Sequence, residues 1–142
     1  MFVDANIFIY AFSDPPLHQP ACQAFLREVA DGRVVAATTP LIAQEVVNHF
    51  LRSGRRKSAV QAGEAVLEVC TVVYPVNEVD CRHMLQLVRD DVDMHAADLM
   101  HVAVMRTAGI DTIMSAGRDF DRFAGITRLD PLEWYERAVA SS

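Results

Sequence analysis

Residues 1–12 read MFVDANIFIYAF, an apolar run interrupted by one carboxylate, Asp4. Phe2, Val3, Ile7, Phe8 and Ile9 are residues of a core, and Asp4 sits among them. An unpaired carboxylate is costly to bury, so proteins neutralise it, pair it or give it a metal. Asp4 therefore implies partners elsewhere in the chain.

Residues 1–4 are expected to form a short apolar strand, with Ala5 and Asn6 turning the chain after it. The spacing of Ala21, Phe25, Leu26 and Val29 predicts a helix over 17–30, ended by Gly32. VVAAT at 34–38 reads as a second buried strand. Thr39 before Pro40 is an N-cap followed by a first-turn proline, which places a helix over 41–52 that Gly54 breaks. A helix over 58–70 leads into a strand from Thr71 stopped by Pro75, and another helix runs from Asn77 or Asp80 to about Arg89. Asp93 caps a helix over 94–108 with Gly109 at its stop. DTIMS from Asp111 and ITRLD near Ile126 read as strands, and Pro131 opens a last short helix carrying Trp134. Short apolar strands alternating with helices indicate parallel β-α units. Such sheets keep their working site beyond the carboxyl ends of the strands, where Asp4 falls.

The 142 residues amount to one domain, of a size that buries roughly two-thirds of the unfolded chain's surface. A formal net charge of -6 argues against a protein that coats nucleic acid through bulk positive charge. It leaves room for a nucleic-acid enzyme with a local basic patch. No basic leader precedes a long apolar run, and no apolar run reaches membrane-spanning length. Cys22, Cys70 and Cys81 are odd in number and lack C-x-x-C spacing, as in a reducing compartment. Together these features predict a soluble cytoplasmic domain without a membrane partner.

Two further acids border apolar stripes. LIAQEVVNHF places Glu45 one helical turn from Ile42 and His49, beside Val46 and Phe50. AADLMHVAVM places Asp98 in the second turn of its helix, with Val102 and Met105 at i+4 and i+7 on a similar face. Taken singly, Asp98 reads as a capping acid and Glu45 as an exposed acid at the stripe's edge. Taken with Asp4, three acids can converge above a parallel sheet. Two carboxylates about 4 Å apart repel by about 4 kcal/mol at an effective dielectric of 20, so such a cluster needs a cation. Oxygen ligation suits Mg²⁺ or Mn²⁺. The five histidines form no H-E-x-x-H or Cys/His cluster, which disfavours zinc, and His101 reads as a packed or supporting residue one turn after Asp98. The G-x-S-x-G elbow and the P-loop are absent. A divalent-metal carboxylate site remains, whose usual chemistry is phosphodiester hydrolysis by a metal-activated water.

FVDANIFIY, LIAQEVVN and AADLMHVAVMRTAGIDTIMSAGRDFDRFAGITRLDP together resemble the PIN-domain ribonucleases, in particular the VapC-type toxins of bacterial toxin–antitoxin pairs. The order and spacing of the pieces, from Met1 to Trp134, carry the resemblance more than any one of them. It implies a single PIN-like domain over 1–142, a three-layer α/β/α fold around a parallel sheet of about five short strands. It also implies an Mg²⁺-dependent endoribonuclease, with Mn²⁺ as the other candidate ion, leaving 5′-phosphate and 3′-hydroxyl ends. The implied partners are an RNA substrate, a cognate antitoxin and a second copy of the chain. By position Asp4, Glu45 and Asp98 match the family's acids, Asp4 and Asp98 as metal ligands; Asn6 and Ser115 match its supporting polar residues. SAGRDFDRF departs from the pattern, because Gly117 stands where the family commonly has an acid. Asp119 either supplies the missing charge or is a helix N-cap in front of FDRF.

Arg55, Arg56 and Lys57 concentrate positive charge beside Gly54, as contacts for RNA or an antitoxin or as a solvated helix start. Tyr10 and Phe12 are candidates for base stacking or for packing. The alternative to an enzyme is a degenerate PIN domain acting as a binding or assembly module, with Gly117 marking lost catalysis.

Overall fold

Strand β1 is only Phe2–Val3, both residues without solvent exposure, and everything else is arranged around it. The computed structural model describes residues 1–142. After β1 come α1 (Ala5–Ala11), α2 (Gln19–Ala30), β2 (Ala37–Thr38), α3 (Pro40–Arg52) and α4 (Arg56–Val69). β3 (Val72–Val73), α5 (Glu78–Arg89), α6 (Ala96–Ala108), β4 (Thr112–Met114), β5 (Thr127–Leu129) and α7 (Pro131–Ala140) complete the chain. A 3-10 turn over Asp119–Arg122 precedes β5. The five strands are parallel in the order β3-β2-β1-β4-β5, so the first strand is the central one. Helices flank the sheet as the three-layer pattern requires, α3 packing on α4 and α5 on α6. Phe2, Phe8, Phe25, Phe50, Ile113 and Met105 lie fully buried in the core between these layers. No helix is long and apolar enough to cross a membrane.

Three elements differ from the sequence expectations. Ala5 and Asn6 do not turn the chain; they open α1, with Asp4 as its N-cap and Asp4 Oδ1 accepting from the Ala5 N–H at 2.8 Å. Aspartate is among the best capping residues, and Ile7, Phe8 and Ala11 give α1 a buried face at helical spacing. The strand expected over 34–38 shrinks to Ala37–Thr38. Its first half is held by other partners: the terminal amine of Met1 donates to the Val35 carbonyl at 3.0 Å, and the Ala36 N–H to Thr71 Oγ1 at 3.2 Å. α6 starts at Ala96 behind an extended His95, not at Met94 behind Asp93, whose carbonyl accepts from Arg122 Nη1 at 3.2 Å. Asp98 consequently lies in the first turn. Both expected starts of α5 contribute to one cap, the buried Asp80 carboxylate accepting from the Asn77 N–H at 3.0 Å.

α3 and α4 approach closely because Gly63 has no side chain: a Cβ there would come within 2.7 Å of Val47 Cγ2. Ordinarily Gly→Ala inside a helix gains about 1 kcal/mol. Here the gain is opposed by overpacking of about 1–3 kcal/mol against a β-branched neighbour that has one preferred helical rotamer. Gly63→Ala is therefore expected to be neutral to about 2 kcal/mol destabilising in urea unfolding, and Val47→Ala to be better tolerated in its presence than alone. An increase in stability from Gly63→Ala would mean that the two helices can separate freely.

Candidate functional site

The parallel register between β1 and β4 builds the site. Phe2 pairs with Ile113 and Val3 with Met114, and the Asp4 N–H continues the ladder to the Met114 carbonyl at 3.0 Å. Asp4 and Ser115 thereby meet at adjacent strand ends, Ser115 Oγ donating to Asp4 Oδ2 at 2.7 Å. Asn6 Nδ2 lies 3.2 Å from both Asp4 Oδ2 and Ser115 Oγ, while Asn6 Oδ1 accepts from the Ala116 N–H at 3.2 Å. The Gly117 N–H reaches Ser115 Oγ at 3.2 Å. Asn6 and Ser115 thus bind the start of the final loop to the first turn of α1 and fix the Asp4 carboxylate. Burial nevertheless raises the pKa of Asp4, outweighing the Ser115 hydrogen bond and the nearby His101, which pull it down.

α3 brings Glu45 to the same point, and α6 brings His101 and Asp98. His101 is fully buried, stacks on Phe2 at 5.6 Å and places Nε2 2.6 Å from Glu45 Oε1. One ligand atom each from Asp4, Glu45 and His101 falls within 4.8 Å of the others. Asp98 and Asp119 line the same pocket, of about 240 Å³, outside that tight trio; Asn6, Ser115, Gly117 and Phe120 complete much of its wall. Desolvation, then the charge of Asp4, push the Asp98 carboxyl up to about 6, with smaller contributions from Glu45 and Asp119. The structure therefore gathers Asp4, Asn6, Glu45, Asp98, Ser115 and Asp119 at one place. It adds His101, whose only sequence signal is its position one turn beyond Asp98.

The final loop is clamped from behind. Arg128 on β5 donates to the Ser115 carbonyl at 2.9 Å, to Asp121 Oδ1 at 2.9 Å and to Asp130 Oδ2 at 3.2 Å. Asp119 opens the 3-10 turn and is exposed at the pocket's rim; the N-cap position belongs to Arg118. The basic run stands apart from the acids. Arg55 lies over the Phe50 ring at 5.1 Å and donates to Ser53 Oγ, while Arg56 and Lys57 are exposed at the start of α4. None of the three lines the acid pocket. Tyr10 packs against His18, and Phe12 lines a separate apolar cleft with Leu26 and Val69.

The donor set fits a hard divalent cation. Four carboxylates line the pocket and no lysine or arginine shares that lining, so His101 behind Glu45 is the one basic side chain set against the cluster. Burial of Asp4 and the raised carboxyl of Asp98 are the electrostatic signature of a cluster that a cation would relieve.

The sequence matches the family model of the PIN domain over residues 1–126. Ribonuclease VapC13 of Mycobacterium tuberculosis is 29% identical over 129 residues, covering 91% of this chain and 98% of that protein. Ribonuclease VapC23 of the same species is 30% identical over 114 residues, covering 80% of this chain and 89% of that protein. Among solved structures, the M. tuberculosis toxin VapC20, described as cleaving the sarcin–ricin loop, superposes with a TM-score of 0.66 at 20% identity, covering 88% of this chain and 97% of that one. DNA-bound VapBC from Salmonella typhimurium gives 0.69 at 16% identity, covering 92% and 96%.

The raised carboxyl of Asp98 has a defined consequence for stability. Its pKa rises from an ordinary 3.8 to about 6, so between those values the folded protein binds more protons than the unfolded chain. Stability from this group is full at the acid end of that window and falls as pH rises through it. With metal chelated, Asp98→Asn should melt above the parent at pH 7, and the difference should shrink toward pH 4. Adding Mg²⁺ or Mn²⁺ at pH 7 should raise the parent's Tm more than the variant's. A difference independent of pH would place Asp98 outside the charge cluster.

Proposed function

Because the chain belongs to the PIN domain family, among its VapC-type ribonucleases, we propose that it is an endoribonuclease dependent on Mg²⁺ or Mn²⁺ and the toxin of a toxin–antitoxin pair. The observation that carries this reading is the pocket that Asp4, Glu45, Asp98 and Asp119 line together with no lysine or arginine among them. When bound, a divalent cation would supply Lewis acidity toward a phosphoryl oxygen and lower the pKa of water for attack on phosphorus. Asp4, Glu45 and Asp98 would hold the ion. Ser115 and Asn6 keep the Asp4 carboxylate from rotating, and His101 does the same for Glu45. Asp119, at the rim, contributes charge where the loop has Gly117.

The VapBC complexes among the structural neighbours support an antitoxin partner. Exposed Val60 and Leu67 on α4 and Leu85 and Val88 on α5 leave apolar surface for that partner or for a second copy to cover. Gly117 favours one other reading, a degenerate domain that only binds. Cation titration against a mixed RNA separates the two: the parent should cleave only with Mg²⁺ or Mn²⁺. Asp4→Asn should abolish cleavage while melting no lower than the parent without metal, since asparagine also caps α1. A parent inert with every cation would establish the binding module, and an unfolded Asp4→Asn would make Asp4 structural.

Gly117 also offers a gain-of-ligand test. A Cβ there would lie 3.7 Å from Asn6 Nδ2 and 3.8 Å from Ser115 Oγ, which is ordinary contact, and its φ is not in the left-handed region. Gly117→Asp is expected to tighten Mg²⁺ binding about tenfold, or about 1.4 kcal/mol. Asp119→Asn should weaken it less, because Asp119 is exposed. Calorimetry on both variants checks this; unchanged affinity in each would place the final loop away from the ion.

A further inference from the structure

Beside the acid pocket lies a second, larger depression of about 480 Å³ along α3, lined by Ile9, Glu45, Asn48, His49, Arg52 and Ser53. Ile9 and Glu45 line both, so the two adjoin. On the basis of the nuclease reading, we propose that this groove carries the RNA strand on one side of the scissile phosphate, with His49 and Arg52 as its phosphate contacts.

The helical period makes the groove. Glu45, Asn48, His49 and Arg52 fall at i, i+3, i+4 and i+7 on one face of α3, so Arg52 stands about 10 Å along the axis from Glu45. Arg52 is exposed and has neither an ion pair nor a hydrogen bond, whereas Arg33, Arg82, Arg128 and Arg137 each pair with a carboxylate. His49 is exposed, and its ring is held edge-on to Phe50 at 5.2 Å. Between Glu45 and Glu64 the chain has no acid and carries Arg52, Arg55, Arg56 and Lys57, a positive segment in a chain of net charge -6. Arg55 is committed to Phe50 and Ser53, which leaves Arg52 as the cation nearest the pocket on this face.

The lining favours a phosphodiester chain. Only Ile9 is apolar, so the groove suits a hydrated polyanion better than an apolar peptide. Without a cation the acid pocket repels phosphates, so in that state attraction must come from an adjoining surface. A groove that adjoins that pocket lets one backbone pass through both, which an acidic protein segment has no need to do.

The test measures affinity of fluorescent single-stranded RNA by anisotropy with divalent metal chelated, so that binding is read apart from cleavage. Arg52→Gln/His49→Gln should bind at least about tenfold more weakly, with the salt slope reduced by roughly one to two. Arg52→Lys should keep most of the affinity, and Arg89→Gln, an exposed cation at the end of α5, should match the parent. Circular dichroism confirms that each variant is folded. Parental affinity and slope in the double variant would overturn the proposal, as would an equal loss in Arg89→Gln, which would mean bulk charge. Parental RNA binding with lost affinity for a polyglutamate peptide would assign the groove to a protein segment and overturn it too. A parent that cleaves RNA while the double variant binds normally would sink the groove alone. A parent that binds RNA through Arg52 and His49 yet never cleaves it would sink the nuclease reading and uphold the groove.

Discussion

A carboxylate placed at the end of the central, fully buried strand is the constraint to which the surrounding structure answers. Asp4 keeps its burial tolerable by accepting from the Ala5 N–H, the Ser115 hydroxyl and the Asn6 amide. Each of these bonds also fixes a piece of architecture. The first starts α1 and so brings Asn6 and Ile9 to the pocket; the Ser115 bond fastens the loop after β4 to that helix start, and the Asn6 bond is local, its amide also reaching Ser115 Oγ and the Ala116 N–H. A substitution that removed both oxygens would therefore loosen a helix start and a loop together, whereas asparagine keeps the oxygen that caps α1 and turns an N–H₂ toward Ser115, whose hydroxyl can accept as well as donate.

The sequence made Asp4 conspicuous because its neighbours were apolar, and the strand–helix alternation placed it on the correct edge of a parallel sheet. The convergence of Glu45 and Asp98 was legible only through the spacing of three separate pieces of chain. α1 was misread because Ala5-Asn6 resembles a turn; the capping power of Asp4 and the apolar spacing of Ile7, Phe8 and Ala11 decide otherwise. The role of His101 was hidden, since its partner Glu45 is 56 residues away and no short motif joins them. Arg55–Lys57 drew attention as the densest basic run, yet density along the chain says little about position. The helical period from Glu45 to Arg52 was present in the same residues and points to the groove.

The cluster is also a competition between protons and cations. A carboxyl raised to about 6 is largely protonated below that pH, so a metal ion entering the pocket in mild acid would displace a proton from Asp98. Metal affinity at this site should then weaken in acid for a reason internal to the pocket, independent of any substrate. Arg128 braces the back, holding Asp121 and the Ser115 carbonyl and so tying the loop to β5.

The bond between Asp4 and Ser115 spans 111 residues. During synthesis β1 emerges long before its neighbour β4, so the Asp4–Ser115 junction cannot form until the chain has passed β4. Closing so long a loop costs entropy that is recovered only when β1 and β4 pair. Until then a nascent chain carries scattered carboxylates and no pocket. The strand order of the sheet thus acts as a timer, withholding the site until β1 and β4 have both been made.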